Sequence, residues 1–116
     1  MKEFVLIFRN PSDSAVAQMS STEMQTISTE WQNWMGGIAA QDKLSSRGYR
    51  LGFEGNTLKT SSVITDGPFA EIKEIISGLT VIKADSLEEA TEIAKGCPIF
   101  NVGGTVEVRG VVIMNM

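Results

Sequence analysis

Asp66-Gly67-Pro68-Phe69-Ala70-Glu71 is the stretch of this 116-residue chain whose residue types and spacing best suit chemistry. Pro68 fixes its own φ and holds Gly67 in an extended or glycine-only conformation. Phe69 is suited to pin the loop to a core. Asp66 would then be held in one place, and a held carboxylate is what general acid or base catalysis needs. The same residues also suit a plain turn in which the Asp66 carboxylate accepts from loop amides. Glu71, Lys73 and Glu74 form a second polar group, and with Glu107 and Arg109 they make a charged site at a sheet end. Arg109 is the candidate anchor for a carboxylate or other anion, because its fork binds two oxygens at once. Glu71 and Lys73 are the ligand-binding candidates beside it. The competing reading is structural, since exposed pairs such as Glu107–Arg109 are worth only about 0–1 kcal/mol.

What is missing narrows the chemistry further. The chain has no histidine, which excludes a His-based triad or dyad, a His-ligated metal and a His pH switch. A single cysteine excludes an intrachain disulfide and a Cys-cluster metal site. Cys97 lies on an apolar helical stripe just before Pro98 and reads as a packing residue, not a nucleophile. Gly36-Gly37 and Gly103-Gly104 lack the strand–loop–helix context of a phosphate loop. Neither a metal nor a cofactor is expected. Net charge is -4 with a pI of about 4.8, and the ten Lys and Arg form no run. Neither nucleic acid nor an anionic membrane surface is therefore the expected partner. No apolar run approaches the roughly 18–20 residues that span a bilayer. Phe4 to Phe8 is too short for a signal-peptide core and reads as a buried strand, so a cytoplasmic location is expected.

These groups need elements to position them, and the whole chain, residues 1–116, reads as one domain. The first strand is Glu3 to Phe8, apolar on both faces and so central in its sheet. Asn10-Pro11-Ser12-Asp13-Ser14 signals a loop. Ser20-Ser21-Thr22-Glu23 offers a capping box. Met24, Ile27, Trp31, Trp34, Met35 and Ile38 then recur at helical steps and form one apolar stripe. That stripe serves core packing, and Trp31 and Trp34 are its candidates to line a pocket. Ser45-Ser46-Arg47-Gly48 reads as punctuation. Tyr49–Phe53, Thr57–Thr60 and Ser62–Thr65 read as short strands, with a turn at Glu54-Gly55-Asn56. Ile72, Ile75 and Ile76 fit a helical turn or a packed loop ending at Gly78. Leu79–Ala84 is a strand, Ser86-Leu87-Glu88-Glu89 opens a second helix, and Gly96 and Pro98 end it. Thr105 to Met114 reads as a long last strand.

The economical solution is an α+β fold: a ferredoxin-like antiparallel sheet with both helices on one face. Two helices cover one sheet face only, yet the strands at Phe4–Phe8, Leu79–Ala84 and Thr105–Met114 are apolar on both sides. The open face exceeds the few hundred Å² that soluble monomers expose. A second copy packed sheet to sheet resolves this, making the chain its own partner. A small-molecule pocket would lie between sheet and helices or at the dimer seam.

One ordered set of residues goes beyond composition. Asp66-Gly67-Pro68-Phe69-Ala70-Glu71, Lys73-Glu74, Gly78, Asp85-Ser86-Leu87-Glu88-Glu89-Ala90, Cys97-Pro98 and Gly104-Thr105-Val106-Glu107-Val108-Arg109 resemble the DGPF-type branch of the YCII-related domain proteins. The resemblance covers most of residues 63–113 in order. It implies a dimeric α+β barrel, in a small bacterial cytoplasmic protein, without a defined reaction. In some similar proteins a His–Asp pair in a cleft has prompted the idea of catalysis. This chain has no histidine, so that relay is not carried over, and Asp66 remains as one half of a site. Gly110 also departs from the Pro that similar proteins carry after the Arg. The leading reading is a homodimer with a small-molecule cleft, enzymatic through Asp66 and anchored by Arg109, with Glu71, Lys73 and Trp31 alongside. The alternative is a non-catalytic accessory module linked to transcription, of the sigma-factor-associated kind, acting through protein contact.

Overall fold

The computed structural model describes residues 1–11, 19–52, 54–61, 63–66 and 74–114. Its elements run β1 (Lys2–Pro11), α1 (Ser21–Ala40), β2 (Leu44–Arg50), β3 (Asn56–Thr60), β4 (Val63–Asp66), β5 (Glu74–Ala84), α2 (Leu87–Ala94), a 3-10 turn (Pro98–Val102) and β6 (Thr105–Gly110). Four strands form one sheet in the order β2-β5-β1-β6. Every adjacent pair in it is antiparallel. β3 and β4 make a separate two-stranded hairpin. With that hairpin set aside, the chain follows the split β-α-β plan expected from its sequence, with β1 central.

Alternation explains the central strand. Phe4, Leu6 and Phe8 of β1 are buried, while Val5 and Ile7 between them are only half-buried. On the buried face they join Ile82 and Ala84 of β5, Ile38 of α1, and Ala90 and Ala94 of α2 in one core. Cys97 and Ile99 complete it from the 3-10 region. Burial of each large side chain contributes about 1.5–3 kcal/mol. Among the described residues Thr80 is the buried polar one, and its hydroxyl donates to the Ser46 carbonyl at 2.6 Å. That bond cancels most of the cost of taking the hydroxyl out of water.

Both helices start as the capping boxes predict. The Ser20 hydroxyl accepts from the Glu23 amide at 3.1 Å and also contacts the Glu23 carboxylate. The Ser86 hydroxyl accepts from the Glu89 amide at 3.1 Å, and the Glu89 carboxylate accepts in turn from the Asp85 amide. Each cap satisfies amides that the first turn leaves free.

Three sequence expectations are corrected. Ser45-Ser46-Arg47-Gly48 lies inside β2 and does not interrupt it. The pairing of β2 with β5 shifts between Ser46 and Tyr49, where Gly48 adopts φ +83°. The irregularity that reads as a loop signal is thus absorbed as a bulge. Ile75 and Ile76 belong to β5, opposite Asn10 and Arg9, and do not form a helical turn. Ile72 lies outside the described residues, and Ser77 after Ile76 is the extra residue of a second bulge, its hydroxyl donating to the Phe8 carbonyl at 3.3 Å. β6 ends at Gly110, and Val111–Met114 continue past it as exposed chain.

Candidate functional site

The core aromatics create a concavity. Trp31 of α1 meets Phe8 of β1 edge-on, with centroids 5.0 Å apart. Trp34 meets the same ring at 6.1 Å and Trp31 at 5.6 Å, both edge-on. This trio fixes α1 against the sheet. Along α1 the fully buried residue is Ile38, near the C-terminal end, while Met24 on the N-terminal half is 44% exposed. The N-terminal half therefore stands away from the strands. The space beneath it is a cleft of about 370 Å³.

Its apolar wall is built by Met24, Ile27, Trp31 and Met35 of α1, with Phe8 and Ile99 on the sheet side. Its polar wall comes from β2 and β5: Arg47, Gly48 and Arg50 from one, Ser77 and Thr80 from the other. Asn10, near the end of β1, adds an amide whose side-chain oxygen is shut off from solvent and has no hydrogen-bond partner among the described residues. Arg47 and Arg50 are the charged residues of the lining, and no Asp or Glu is among the described residues there. Apolar walls with a few converging polar groups are what small-molecule sites look like.

The sequence-derived candidates fall in different places. Trp31 lines the cleft. Arg109 does not; it stands on β6 opposite Val5, and its guanidinium donates to the Glu107 carboxylate at 3.0 Å. Glu107 also accepts from Arg9 at 2.5 Å. The bond from Arg9, followed by that from Arg109, holds its carboxyl below the ordinary glutamate value of 4.5. These three charges form a ladder on the sheet face opposite the helices. Asp66 is the last residue of β4, with its backbone paired to Asn56, and its side chain lies outside the described residues. Glu71 and Lys73 also lie outside them. Sequence reasoning missed Arg47, Arg50 and Asn10. The available signal was Arg47-Gly48-Tyr49-Arg50, two arginines bracketing a glycine that a strand tolerates only at a bulge.

Cys97 is buried at 3% exposure, and burial pushes its thiol up to about 12. Such a thiol packs; it does not attack. Among the described residues no cluster of His, Cys, Asp and Glu is arranged to hold a metal ion. No helix among them is long and apolar enough to cross a membrane. No curated protein matches the chain. The family model of the YCII-related domain matches residues 4–115. With nearly its whole length matched, and with an antiparallel α+β sheet shaped around one cleft, the chain belongs to the YCII-related domain family.

Proposed function

We propose that this protein, of the DGPF-type branch of its family, works as a homodimer whose cleft under α1 takes up a small molecule. The cleft carries this reading: about 370 Å³ walled by Trp31, Ile27, Met35 and Phe8, with Arg47 and Arg50 among its lining residues. Asp66 remains the acid or base candidate should the bound molecule be turned over. The other sheet face supports the dimer. There Val5, Ile7, Leu79 and Val81 are half-buried, with no described helix over them. Val112 and Ile113 beyond β6 are 81% and 88% exposed. A second copy covers such a surface at the lowest cost.

The cleft is tested with a neutral fluorescent probe, N-phenylnaphthylamine, against the wild type and Ser28→Phe. Ser28 lines the cleft from an exposed position on α1, so a ring there fills the space without disturbing the core. Probe binding is expected to be lost in Ser28→Phe while the unfolding midpoint holds. Equal binding by both would remove the cleft as the site. Sedimentation tests the assembly: twice 12.6 kDa is expected, and a monomer at micromolar concentration would overturn the dimer.

A further inference from the structure

We propose that the ligand class of this cleft is a small organic acid, with an apolar or aromatic body on Trp31 and Ile27 and an anionic head held by Arg47 and Arg50. The inference rests on the cleft reading above and adds the chemistry of the ligand. Three observations carry it.

The first is charge. The chain carries 14 acidic and 10 basic residues, yet the cleft lining holds two arginines and no described acid. In a concave site with apolar walls, charges of one sign concentrate their field on whatever enters.

The second is that these arginines are uncommitted. Arg9, Lys43, Lys83, Lys95 and Arg109 each form an ion pair with an Asp or Glu. Arg47 and Arg50 form none among the described residues, although they belong to the same small, acidic protein. Arg47 also borders the shallow depression next to the cleft, against Gln32, Met35 and Gly36 of α1. Arg47 thus sits at the boundary of the two hollows. The bulge at Gly48 makes this possible, because it breaks the strict alternation of β2 and lets both Arg47 and Arg50 reach one wall.

The third is the match of size and polarity. A volume of about 370 Å³ lies at the small end of ligand sites. The opposing wall is Met, Ile and Trp, which offers nothing to a polyphosphate or a sugar. It suits a compact apolar body, and the guanidinium fork suits the two oxygens of a carboxylate.

The test compares hydrocinnamate with its uncharged amide, hydrocinnamamide, by calorimetry and by the intrinsic fluorescence of the two tryptophans, Trp31 and Trp34, in the otherwise unsubstituted chain. The acid is expected to bind roughly tenfold or more tighter than the amide, the scale of a charge-assisted bidentate contact. The Arg47→Gln/Arg50→Gln double variant is expected to bring the two ligands level while still binding the neutral naphthylamine. Both positions are exposed, so an unchanged unfolding midpoint is expected to accompany that loss. Equal binding of acid and amide by the wild type, with the naphthylamine still bound, would overturn the acid class and leave the cleft standing. A preference for the acid that survives in the double variant would remove the two arginines as its source. Failure of all three probes to bind would overturn the acid class together with the cleft itself.

Discussion

The indole Nε1 of Trp34 donates to the main-chain carbonyl of Ile93 at 3.1 Å, and this bond ties α1 to the last turn of α2. The approach depends on Gly96, where a Cβ would stand 3.2 Å from the indole. The same ring packs edge-on against Phe8 and Trp31, so one side chain joins both helices and the central strand. The cleft wall is therefore hung from a contact outside the cleft.

Trp34→Phe keeps an aromatic ring but removes the donor and some volume. It is expected to cost about 1–3 kcal/mol, from one lost hydrogen bond and a small cavity. Urea unfolding followed by circular dichroism measures this. A change under about 0.5 kcal/mol, the range of an ordinary surface substitution, would show that the Ile93 contact holds nothing.

Gly48→Ala tests the bulge that shapes the polar wall. A Cβ there would come within 2.4 Å of the Leu79 carbonyl oxygen and 2.8 Å of the Thr80 Cβ. The φ of +83° adds its own strain for an L-residue. A loss of at least about 2 kcal/mol is expected, from backbone strain and overpacking together. Gly52→Ala is the control, since nothing lies within 4 Å of its Cβ position, and it is expected to be neutral or slightly stabilising. Equal stability of the two variants would refute the argument.

These positions also show what was legible beforehand. Phe4 to Phe8 announces a central strand because both of its faces are apolar, which is a local property of the chain. Ser20 and Ser86 announce their helices because a cap needs only its own next three residues. Gly48 misleads because a bulge shifts spacing by one residue, and only the partner strand reveals it. Arg47 and Arg50 stayed hidden for the same reason, since their common wall exists only after that shift. Arg109 drew attention for its two-oxygen fork, with a structural pair to Glu107 as the competing reading; the structure shows that pair, and Arg9 joins it only through the register of β1 and β6.

Cys97 is expected to be inert in the folded protein. Burial lifts its thiol to about 12, so thiolate is scarce at neutral pH and reagent cannot reach it. Labelling with a disulfide reagent is expected to proceed only as fast as the protein opens, and to become immediate in denaturant. Stoichiometric labelling within seconds under native conditions would contradict this placement.

The Arg9–Glu107–Arg109 ladder gives the protein an acid-sensitive contact. Glu107 accepts from Arg9 at 2.5 Å and from Arg109 at 3.0 Å, and these bonds favour its charged form. Its folded pKa therefore lies below the value of 4.5 that the unfolded chain has. A depressed carboxyl pKa stabilises the fold at any pH above the unfolded value. The contribution falls away as pH drops through the folded value, because the proton then goes on in both states. Glu107→Gln, which cannot ionise, is thus expected to be less stable than the wild type at neutral pH. The gap between their unfolding midpoints is expected to narrow steadily below pH 4.5 and to close in stronger acid. Salt is expected to narrow it as well, since the side chains are partly exposed and their attraction is screened. Paired thermal melts across that range provide the reading. A gap that stays constant from neutral pH into acid would mean that the ladder contributes shape and packing, not charge.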